Sequence, residues 1–318
     1  GFVFYNLGLT SQIGADARHP TDDPDWVMGN SQFASENPDV EASVLALTNG
    51  YLGIRGNLGL RRADGSDGTY LNGLHETWPI AHAEDAYGFA RIGQSMVTLP
   101  DATGFDIFVN SVAITDSARG YLSEQSRTLD LHSGILYETA LWRGRGAEQG
   151  VSVRIEQRAA VALFDPHLAT IDLRVTPLED DCDITIRSVV ETPALPPIEL
   201  TEGITLELDD PRKANRLVHG AVIETDVFTA DESASIAYQV RASQMAAALA
   251  VKNQAALLPA GSHTQEEGSV ATPVAVTPIE PEEGDTLAWV VVAAVSRGES
   301  LSLTKTLSYA RDDRFEER

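Results

Sequence analysis

The chain has 318 residues, 43% of them hydrophobic, and 47 acidic residues against 23 basic ones give it a formal net charge of −24. A surface of this sign repels phosphate backbones and anionic lipid headgroups, so nucleic acid and membrane surfaces are excluded as partners. No apolar run reaches the roughly 20 residues of a membrane span, and the first residues lack the basic flank of a signal peptide. The single cysteine, Cys182, permits no internal disulfide and no cysteine-based zinc site. We therefore expect a cytoplasmic protein.

The first distinctive element in chain order is a glycine-rich stretch at residues 49–57, NGYLGIRGN. It is not a dinucleotide-binding fingerprint, which needs G-x-G-x-x-G at the opening of a helix. It is not a P-loop either, because no lysine followed by serine or threonine ends it. The glycines recur every third residue, a spacing that predicts a tight turn with close backbone packing. We expect Arg55 to pair with a buried carboxylate in this turn.

The next element, residues 75–79, reads HETWP, with proline where a zinc-binding H-E-x-x-H motif has its second histidine. The nearby candidate ligands match no standard metal spacing, so we predict no metal site; they are His75, Glu76, His82, Glu84 and Asp85. The composition favours a packed surface loop. Aromatic faces beside carboxylates also suit contact with a sugar, because the rings present an apolar surface to the C–H groups of a pyranose. The candidate sugar-contacting residues are Glu76, Trp78, Glu84 and Tyr87.

From residue 151 onward, apolar and polar residues alternate in short runs, which is typical of half-buried strands. The runs cover residues 151–163, 169–178, 182–187, 204–208 and 236–240. Residues 286–295 are apolar nearly throughout, as in a strand that is covered on both faces. Turn-forming residues separate the runs at 177–181, 208–211 and 281–285. This spacing, without helical patterns in between, predicts an antiparallel sandwich or barrel.

Two positions within this part of the chain need a separate interpretation. Residues 243–258 are rich in alanine and fit a helix by propensity. We predict a strand, because Leu249 and Val251 alternate with Ala250 and Lys252. Cys182 lies in an alternating run, so we expect it at a buried strand position rather than as a reactive thiol.

Catalytic patterns are not evident in the sequence. It contains no G-x-S-x-G nucleophile motif. With 47 carboxylates, a pair that might serve as acid and base is always available and has no diagnostic value. Glycoside hydrolysis requires two carboxylates at a defined separation across a pocket, and a sequence does not display that separation. The residues alone therefore predict an acidic all-β domain without an assigned activity.

Residues 41–57 closely resemble the opening signature of glycoside hydrolase family 65, usually E-S-x-x-x-x-x-N-G-Y-x-G-x-R-G-N. The present sequence departs from that pattern by one residue, because Ala42 separates Glu41 from Ser43. Residues 68–73, GTYLNG, are similar to the family's G-x-Y-x-N-G. Further matching positions are Trp26, the RTLDL run at 127–131, Gly134, Trp142, Arg158 and His167. The signature residues, which the resemblance assigns to the scaffold, are Glu41, Asn49, Gly50, Tyr51, Gly53, Arg55, Gly56, Asn57, Tyr70, Asn72 and Gly73.

The resemblance implies an all-β fold: a large antiparallel super-sandwich of the galactose-mutarotase type, with few short helices, over residues 1–308. Residues 309–318 would begin a helical linker to an (α/α)6 catalytic barrel. The implied activity is inverting phosphorolysis or hydrolysis of disaccharides such as maltose, trehalose or kojibiose, with a glutamate on the barrel as the acid. Inorganic phosphate would be the co-substrate of a phosphorylase, and no other cofactor is implied.

The resemblance transfers no catalytic residue to this chain, so we expect the chain to be inert by itself. Its implied partners are its own catalytic barrel and, in the intact enzyme, the disaccharide; a homodimer is also compatible. The loop around Trp78 is expected to approach the mouth of the barrel. Two alternatives stay open. One is a free-standing aldose epimerase, in which His132 or His167 would work with a glutamate. The other is a carbohydrate-binding module that acts alone.

Overall fold

The computed structural model describes residues 19–29, 38–56, 68–80, 87–191, 222–261 and 271–312. Several predictions concern residues outside these ranges: the signature residue Asn57, the sugar-contact candidate Glu84, the strand at 204–208, and residues 313–318 of the linker. Trp78 is described through its strand position only.

The described chain contains a seven-residue α-helix, two 3-10 turns and twenty strands. The helix α1 is Pro38–Val44, and the 3-10 turns are Pro24–Trp26 and Gly146–Glu148. The strands up to β10 are β1 (Val27–Gly29), β2 (Leu47–Thr48), β3 (Leu52–Ile54), β4 (Thr69–Leu71), β5 (His75–Pro79), β6 (Ile92–Met96), β7 (Phe105–Val109), β8 (Val112–Ala113), β9 (Gly120–Asp130) and β10 (Ile135–Gly144). The remaining strands are β11 (Ser152–Val161), β12 (Leu168–Pro177), β13 (Cys182–Glu191), β14 (Val222–Ala230), β15 (Ser233–Val240), β16 (Ala246–Leu258), β17 (Thr272–Val274), β18 (Thr277–Ile279), β19 (Asp285–Val295) and β20 (Ser300–Arg311).

These strands form four sheets in the described part of the chain. The largest has ten strands in the order β1-β9-β10-β11-β12-β20-β16-β15-β14, with β17 beside β16. A five-stranded sheet has the order β18-β19-β13-β7-β8. A three-stranded sheet joins β2, β3 and β4, and β5 pairs with β6 alone. Neighbouring strands are antiparallel, for example in β11–β12, β13–β19 and β16–β20. The predicted all-β antiparallel fold is confirmed.

Most of the alternating runs are strands of the two large sheets. The runs at 151–163, 169–178, 182–187 and 236–240 correspond to β11, β12, β13 and β15, and 286–295 corresponds to β19. The alanine-rich segment is β16 and not a helix, since β15 and β20 pair with it on its two sides. Residues 75–79 are an exception, because they were predicted as a loop and form β5. Their proline lies at the last position of a strand that pairs on one side only, where its missing N–H breaks no ladder.

The ten-stranded and five-stranded sheets face each other across one continuous core, as in a super-sandwich. Ile171, Leu173 and Val175 of β12 are fully buried in it, as is Ile184 of β13. A polar bond also joins the two layers, because Ser188 Oγ donates to Asn253 Oδ1 at 2.8 Å. Cys182 is buried at the start of β13, as predicted. Burial, followed by the nearby carboxylates of Asp180 and Asp181, raises the pKa of its thiol, which disfavours the reactive thiolate.

The antiparallel order brings several turns to one end of the large sheet. The β9–β10 turn at 131–134, the β11–β12 turn at 162–167 and the β15–β16 turn at 241–245 lie there, together with the last residues of β20. The register confirms this arrangement, since Leu168 pairs with Ser308 and Ala247 pairs with Arg311. We call this end, defined by the three turns and residues 309–312, the exit end. β20 continues through Arg311, and the boundary between sandwich and linker at residue 308 stays a prediction.

Candidate functional site

The first signature loop shapes its own turn and is tied to the exit end by Asn49. Asn49 Oδ1 accepts hydrogen bonds from the backbone N–H groups of Tyr51 and Leu52 at 3.0 and 2.9 Å. Its Nδ2 donates to the carbonyl oxygens of Ala162 and Pro166 at 2.7 and 3.1 Å. The tight turn predicted from the glycine spacing is confirmed, and one side chain joins it to the β11–β12 turn.

The second signature motif is held against the first. Asn72 Nδ2 donates to the carbonyl oxygen of Gly50 at 3.0 Å, and the Asn72 N–H donates to the carbonyl oxygen of Tyr51 at 2.8 Å. In the β3–β4 ladder, Gly53 pairs with Tyr70. Two motifs that are separate in the sequence therefore form one structural unit.

The predicted close packing of the backbone occurs at Gly56. A Cβ atom at Gly56 would lie 2.7 Å from the carbonyl oxygen of Leu45. The Gly56 N–H also donates to the carbonyl oxygen of Ala42, 2.8 Å away. Any side chain at this position would push α1 and the segment after it away from the strand, which explains the glycine.

Arg55 is oriented by the last turn of α1. Its Nη2 donates to Ser43 Oγ at 2.8 Å, and Arg55 and Tyr70 line a shallow cavity of about 390 Å³. The pairing of Arg55 with a buried carboxylate stays a prediction.

Glu41 lies beside a buried arginine in the described structure. Arg127 is buried on β9, where its Nε donates to Glu138 Oε1 of β10 at 3.2 Å. Glu41 Oε1 approaches the same guanidinium, 3.7 Å from Nη1. The signature glutamate thus helps to balance a buried cation beneath α1.

The last residues of β20 are surrounded by signature groups. Tyr51 Oη accepts a hydrogen bond from the Arg311 N–H at 3.0 Å. His167 contacts Tyr309 twice, because its carbonyl oxygen accepts from the Tyr309 N–H and its Nδ1 donates to the Tyr309 carbonyl, both at 2.9 Å. The rings of Tyr51 and His167 meet edge to face with centroids 4.7 Å apart. Sequence analysis missed Tyr309 and Arg311, because nothing in their local pattern distinguishes them from other strand residues.

Gly73 completes the surroundings of Arg311. It has φ of +83°, and a Cβ atom there would lie 3.1 Å from Arg311 Cζ. A side chain at this position would be strained and would also displace the guanidinium. The signature glycine therefore leaves room for Arg311.

Glu76 is bound to backbone N–H groups in the described structure. It is 5% exposed, and its carboxylate accepts from the backbone N–H groups of Thr77 at 2.8 Å and Ser243 at 2.9 Å. The Ala242 N–H lies 3.1 Å from both carboxylate oxygens. Since these bonds occupy both oxygens, Glu76 fastens the β5–β6 hairpin to the β15–β16 turn.

Two other sugar-contact candidates, Trp78 and Tyr87, belong to β5 and to the connection between β5 and β6. Tyr87 is fully exposed just before β6, and the backbone of Trp78 pairs with Gly93 across the hairpin. The two histidines considered for an epimerase lie in different turns of the exit end. His132 packs edge to face on Trp26 with centroids 5.9 Å apart, and His167 is bound to Tyr309. Both rings thus have structural contacts.

Two kinds of feature are absent from the described ranges. No group of three or more His, Cys, Asp or Glu side chains there is arranged to hold a metal ion. No helix in those same ranges is long and apolar enough to cross a membrane.

Asp130 at the exit end gives a prediction for stability at low pH. Burial by itself would raise the pKa of this carboxyl group, but hydrogen bonds from the backbone N–H groups of Thr21, Ser133 and His132 outweigh it and lower the pKa below its ordinary value of 3.8. The unfolded state therefore binds the proton more readily. The stability that the ionised Asp130 carboxylate contributes is complete above the ordinary pKa. It is lost as the pH falls through the lowered folded-state pKa.

We expect Asp130→Asn to lower the free energy of unfolding by about 1 kcal/mol at pH 7. The difference from the parent should shrink as the pH falls from about 5 to about 2, because the parent carboxyl is then protonated. Urea denaturation across this range measures it. A difference that is constant with pH would contradict the prediction.

Comparisons with known proteins agree on one family. The model for the N-terminal domain of glycosyl hydrolase family 65 matches residues 28–318. An uncharacterized glycosyl hydrolase of Mycobacterium tuberculosis is 31% identical over 185 residues, which are 57% of this chain and 23% of that protein. The α,α-trehalose phosphorylase of Thermoanaerobacter brockii is 28% identical over 171 residues, or 52% of this chain and 22% of that protein. The kojibiose phosphorylase of Escherichia coli is 26% identical over 164 residues, which are 52% of this chain and 20% of that protein.

A solved structure supports the fold. A putative kojibiose phosphorylase from the human microbiome superposes with a TM-score of 0.64 at 13% identity, covering 87% of this chain and 31% of that one. At this identity the likeness concerns the fold alone. The chain spans less than a quarter of the length of the curated relatives that it matches.

Proposed function

Because this chain belongs to glycosyl hydrolase family 65, whose N-terminal domain model it matches over residues 28–318, we propose that it is the non-catalytic N-terminal domain of an inverting α-glucoside phosphorylase or hydrolase. The substrates of the whole enzyme are disaccharides such as maltose, trehalose or kojibiose, and its compartment is the cytoplasm. If the enzyme is a phosphorylase, inorganic phosphate is its co-substrate. The family match is the observation that carries the proposal, and the trehalose and kojibiose phosphorylases among the relatives support the substrate class.

The role of the domain is to support and shape a catalytic barrel or to form its dimer. The way the candidate residues are used supports a structural role. The carboxylate of Glu76 accepts hydrogen bonds from backbone N–H groups. The signature residues Asn49, Tyr51 and Asn72 form hydrogen bonds within the signature loops and to the exit end.

The exit end is the surface on which we place the barrel. Large apolar side chains are exposed on its adjacent turns: Trp26 and Leu131 beside the β9–β10 turn, and Leu163 and Phe164 in the β11–β12 turn. Leu163 is 84% exposed and Trp26 is 48% exposed. A group of exposed apolar side chains marks an interaction surface more often than a solvated one. The β5–β6 hairpin is fastened at the same end by Glu76, which supports its predicted approach to the mouth of the barrel.

The proposal predicts that the isolated chain does not turn over sugars. Incubated with maltose, trehalose or kojibiose, with and without inorganic phosphate, it should release glucose or glucose 1-phosphate no faster than buffer does. The physical reason is that the acid and the phosphate pocket belong to the barrel. Enzyme-coupled glucose assays measure the release, and a longer family member that includes the barrel is the positive control. Turnover of any of the three disaccharides by the chain alone would contradict the proposal.

The two alternatives are tested in the same preparation. Polarimetry measures the mutarotation of glucose. If the chain does not accelerate this reaction over buffer, it is not an epimerase. Titration of the three disaccharides and glucose, followed by NMR, tests a free-standing binding module. Shifts clustered on one face of the sandwich would favour that module over the proposed support role.

A further inference from the structure

The end of β20 extends beyond one of its two neighbouring strands. On one side, β16 pairs with β20 as far as Arg311. On the other side, the ladder with β12 ends at Ser308, opposite Leu168. Among the residues that the structure describes, strand neighbours flank 309–311 on one side only. A strand end with one neighbour opens locally more easily than the middle of a strand with two.

Signature groups occupy the place of the missing neighbour. The Tyr309 N–H and carbonyl are bound by the backbone and ring of His167, each at 2.9 Å. Two residues further on, the Arg311 N–H donates to Tyr51 Oη at 3.0 Å. Hydrogen bonds at alternate residues on one side of a strand follow the spacing of an antiparallel ladder. The ring and carbonyl of His167 and the hydroxyl of Tyr51 thus continue that ladder.

The guanidinium of Arg311 is confined as well. Its Cζ lies 6.0 Å from the centroid of the Tyr51 ring. On another side, Gly73 lies so close that a Cβ atom there would be 3.1 Å away. Asn72, which precedes this glycine, is hydrogen-bonded to Gly50 and Tyr51, so both signature motifs contribute to the confinement.

We propose that the two signature loops and His167 form a clamp that fixes the position and direction of the end of β20, with Arg311 as the residue that the clamp holds. The clamp supplies the end of β20 with hydrogen bonds on the side that β12 does not reach. What the clamp orients, a catalytic barrel, rests on the proposed function. The clamp itself does not, because it is a property of contacts within this chain.

The first test removes one hydroxyl group. In Tyr51→Phe the Arg311 N–H loses its acceptor while the ring and its packing stay. We expect hydrogen exchange of the Arg311 amide, followed by NMR, to accelerate about tenfold or more. The amides of Leu303 and Leu307, in the middle of β20, should exchange at the parent rate, which separates a local release from a general loss of stability.

The second test uses two glycines with positive φ. Gly73→Ala adds backbone strain at φ of +83° and a methyl group against Arg311. Gly134→Ala, at φ of +69° in the β9–β10 turn, adds similar strain with nothing within 4 Å of the new atom. We expect Gly73→Ala alone to accelerate exchange at Arg311.

The clamp is overturned if Tyr51→Phe leaves Arg311 exchange unchanged, or if the two alanine variants have equal effects at Arg311. It is also overturned if amide exchange accelerates as much at Leu303 and Leu307 as at Arg311, because the loss of stability is then general. These readouts involve no sugar. A failed clamp therefore leaves the turnover result intact, and turnover by the isolated chain would leave the exchange result intact.

Discussion

Replacing Glu138 with leucine is expected to lower the free energy of unfolding by about 3–5 kcal/mol, because it leaves the guanidinium of Arg127 buried without its nearer carboxylate. The two side chains lie opposite each other on β9 and β10, are almost fully buried, and approach to 3.2 Å between Arg127 Nε and Glu138 Oε1. Glu41 is 3.7 Å from the same guanidinium and compensates the loss only in part. Denaturation by urea at neutral pH measures the effect.

The matched control for this prediction is the double variant Arg127→Met with Glu138→Leu. Two apolar side chains in the place of a buried ion pair are often close to neutral, because the desolvation penalty of both charges is removed together. We therefore expect the double variant to be more stable than Glu138→Leu by about 2 kcal/mol or more. A double variant that is no more stable than the single one would mean that lost packing, and not the unpaired cation, causes the destabilisation.

Replacement of Lys305 is expected to cause the second large loss in the free energy of unfolding. Its side chain is fully buried in β20, and Nζ donates to the carbonyl oxygens of Ala102, Val189 and Gly104 at 2.6, 2.9 and 3.1 Å. The ammonium also lies 4.7 Å from the centroid of the Phe105 ring. These acceptors belong to the layer opposite the ten-stranded sheet, so a single cation joins the two layers of the sandwich.

Lys305→Met keeps most of the volume but leaves the three carbonyl groups without this donor. An unsatisfied buried acceptor costs about 1–3 kcal/mol, and the relieved desolvation of the ammonium offsets part of that sum. We expect a net loss of about 3 kcal/mol in the free energy of unfolding. Thermal and urea denaturation both report it.

Lys252→Met provides the comparison for Lys305→Met on the neighbouring strand β16. The Lys252 side chain is 27% exposed and its Nζ is 3.4 Å from Glu232 Oε1. A partly exposed ion pair of this kind contributes about 0–1 kcal/mol, so this variant should remain near the parent. Equal losses in the two variants would contradict the assignment of Lys305 as a join between layers.

The fold and the candidate site differed in how far the sequence predicted them. Strands β11, β12, β13 and β15 were predicted because alternation is a local property, repeated every second residue, and the core lies on the apolar side. The alanine-rich β16 was predicted from the same alternation against its helical propensity. β5 was missed, because the pairing with β6 that makes residues 75–79 a strand is not evident in the composition of those five residues.

The amino-acid sequence by itself determined the strand class, the buried position of Cys182, the turn at residues 49–57 and the family to which the motifs are similar. These follow from local patterns and from residue spacing. Only the tertiary structure decided what the polar groups do. Glu76 binds an N–H group 166 residues away, Lys305 a carbonyl 203 residues away, and Tyr51 an N–H group 260 residues away. Contacts at such separations depend on which strands become neighbours, and local patterns carry no information on that pairing.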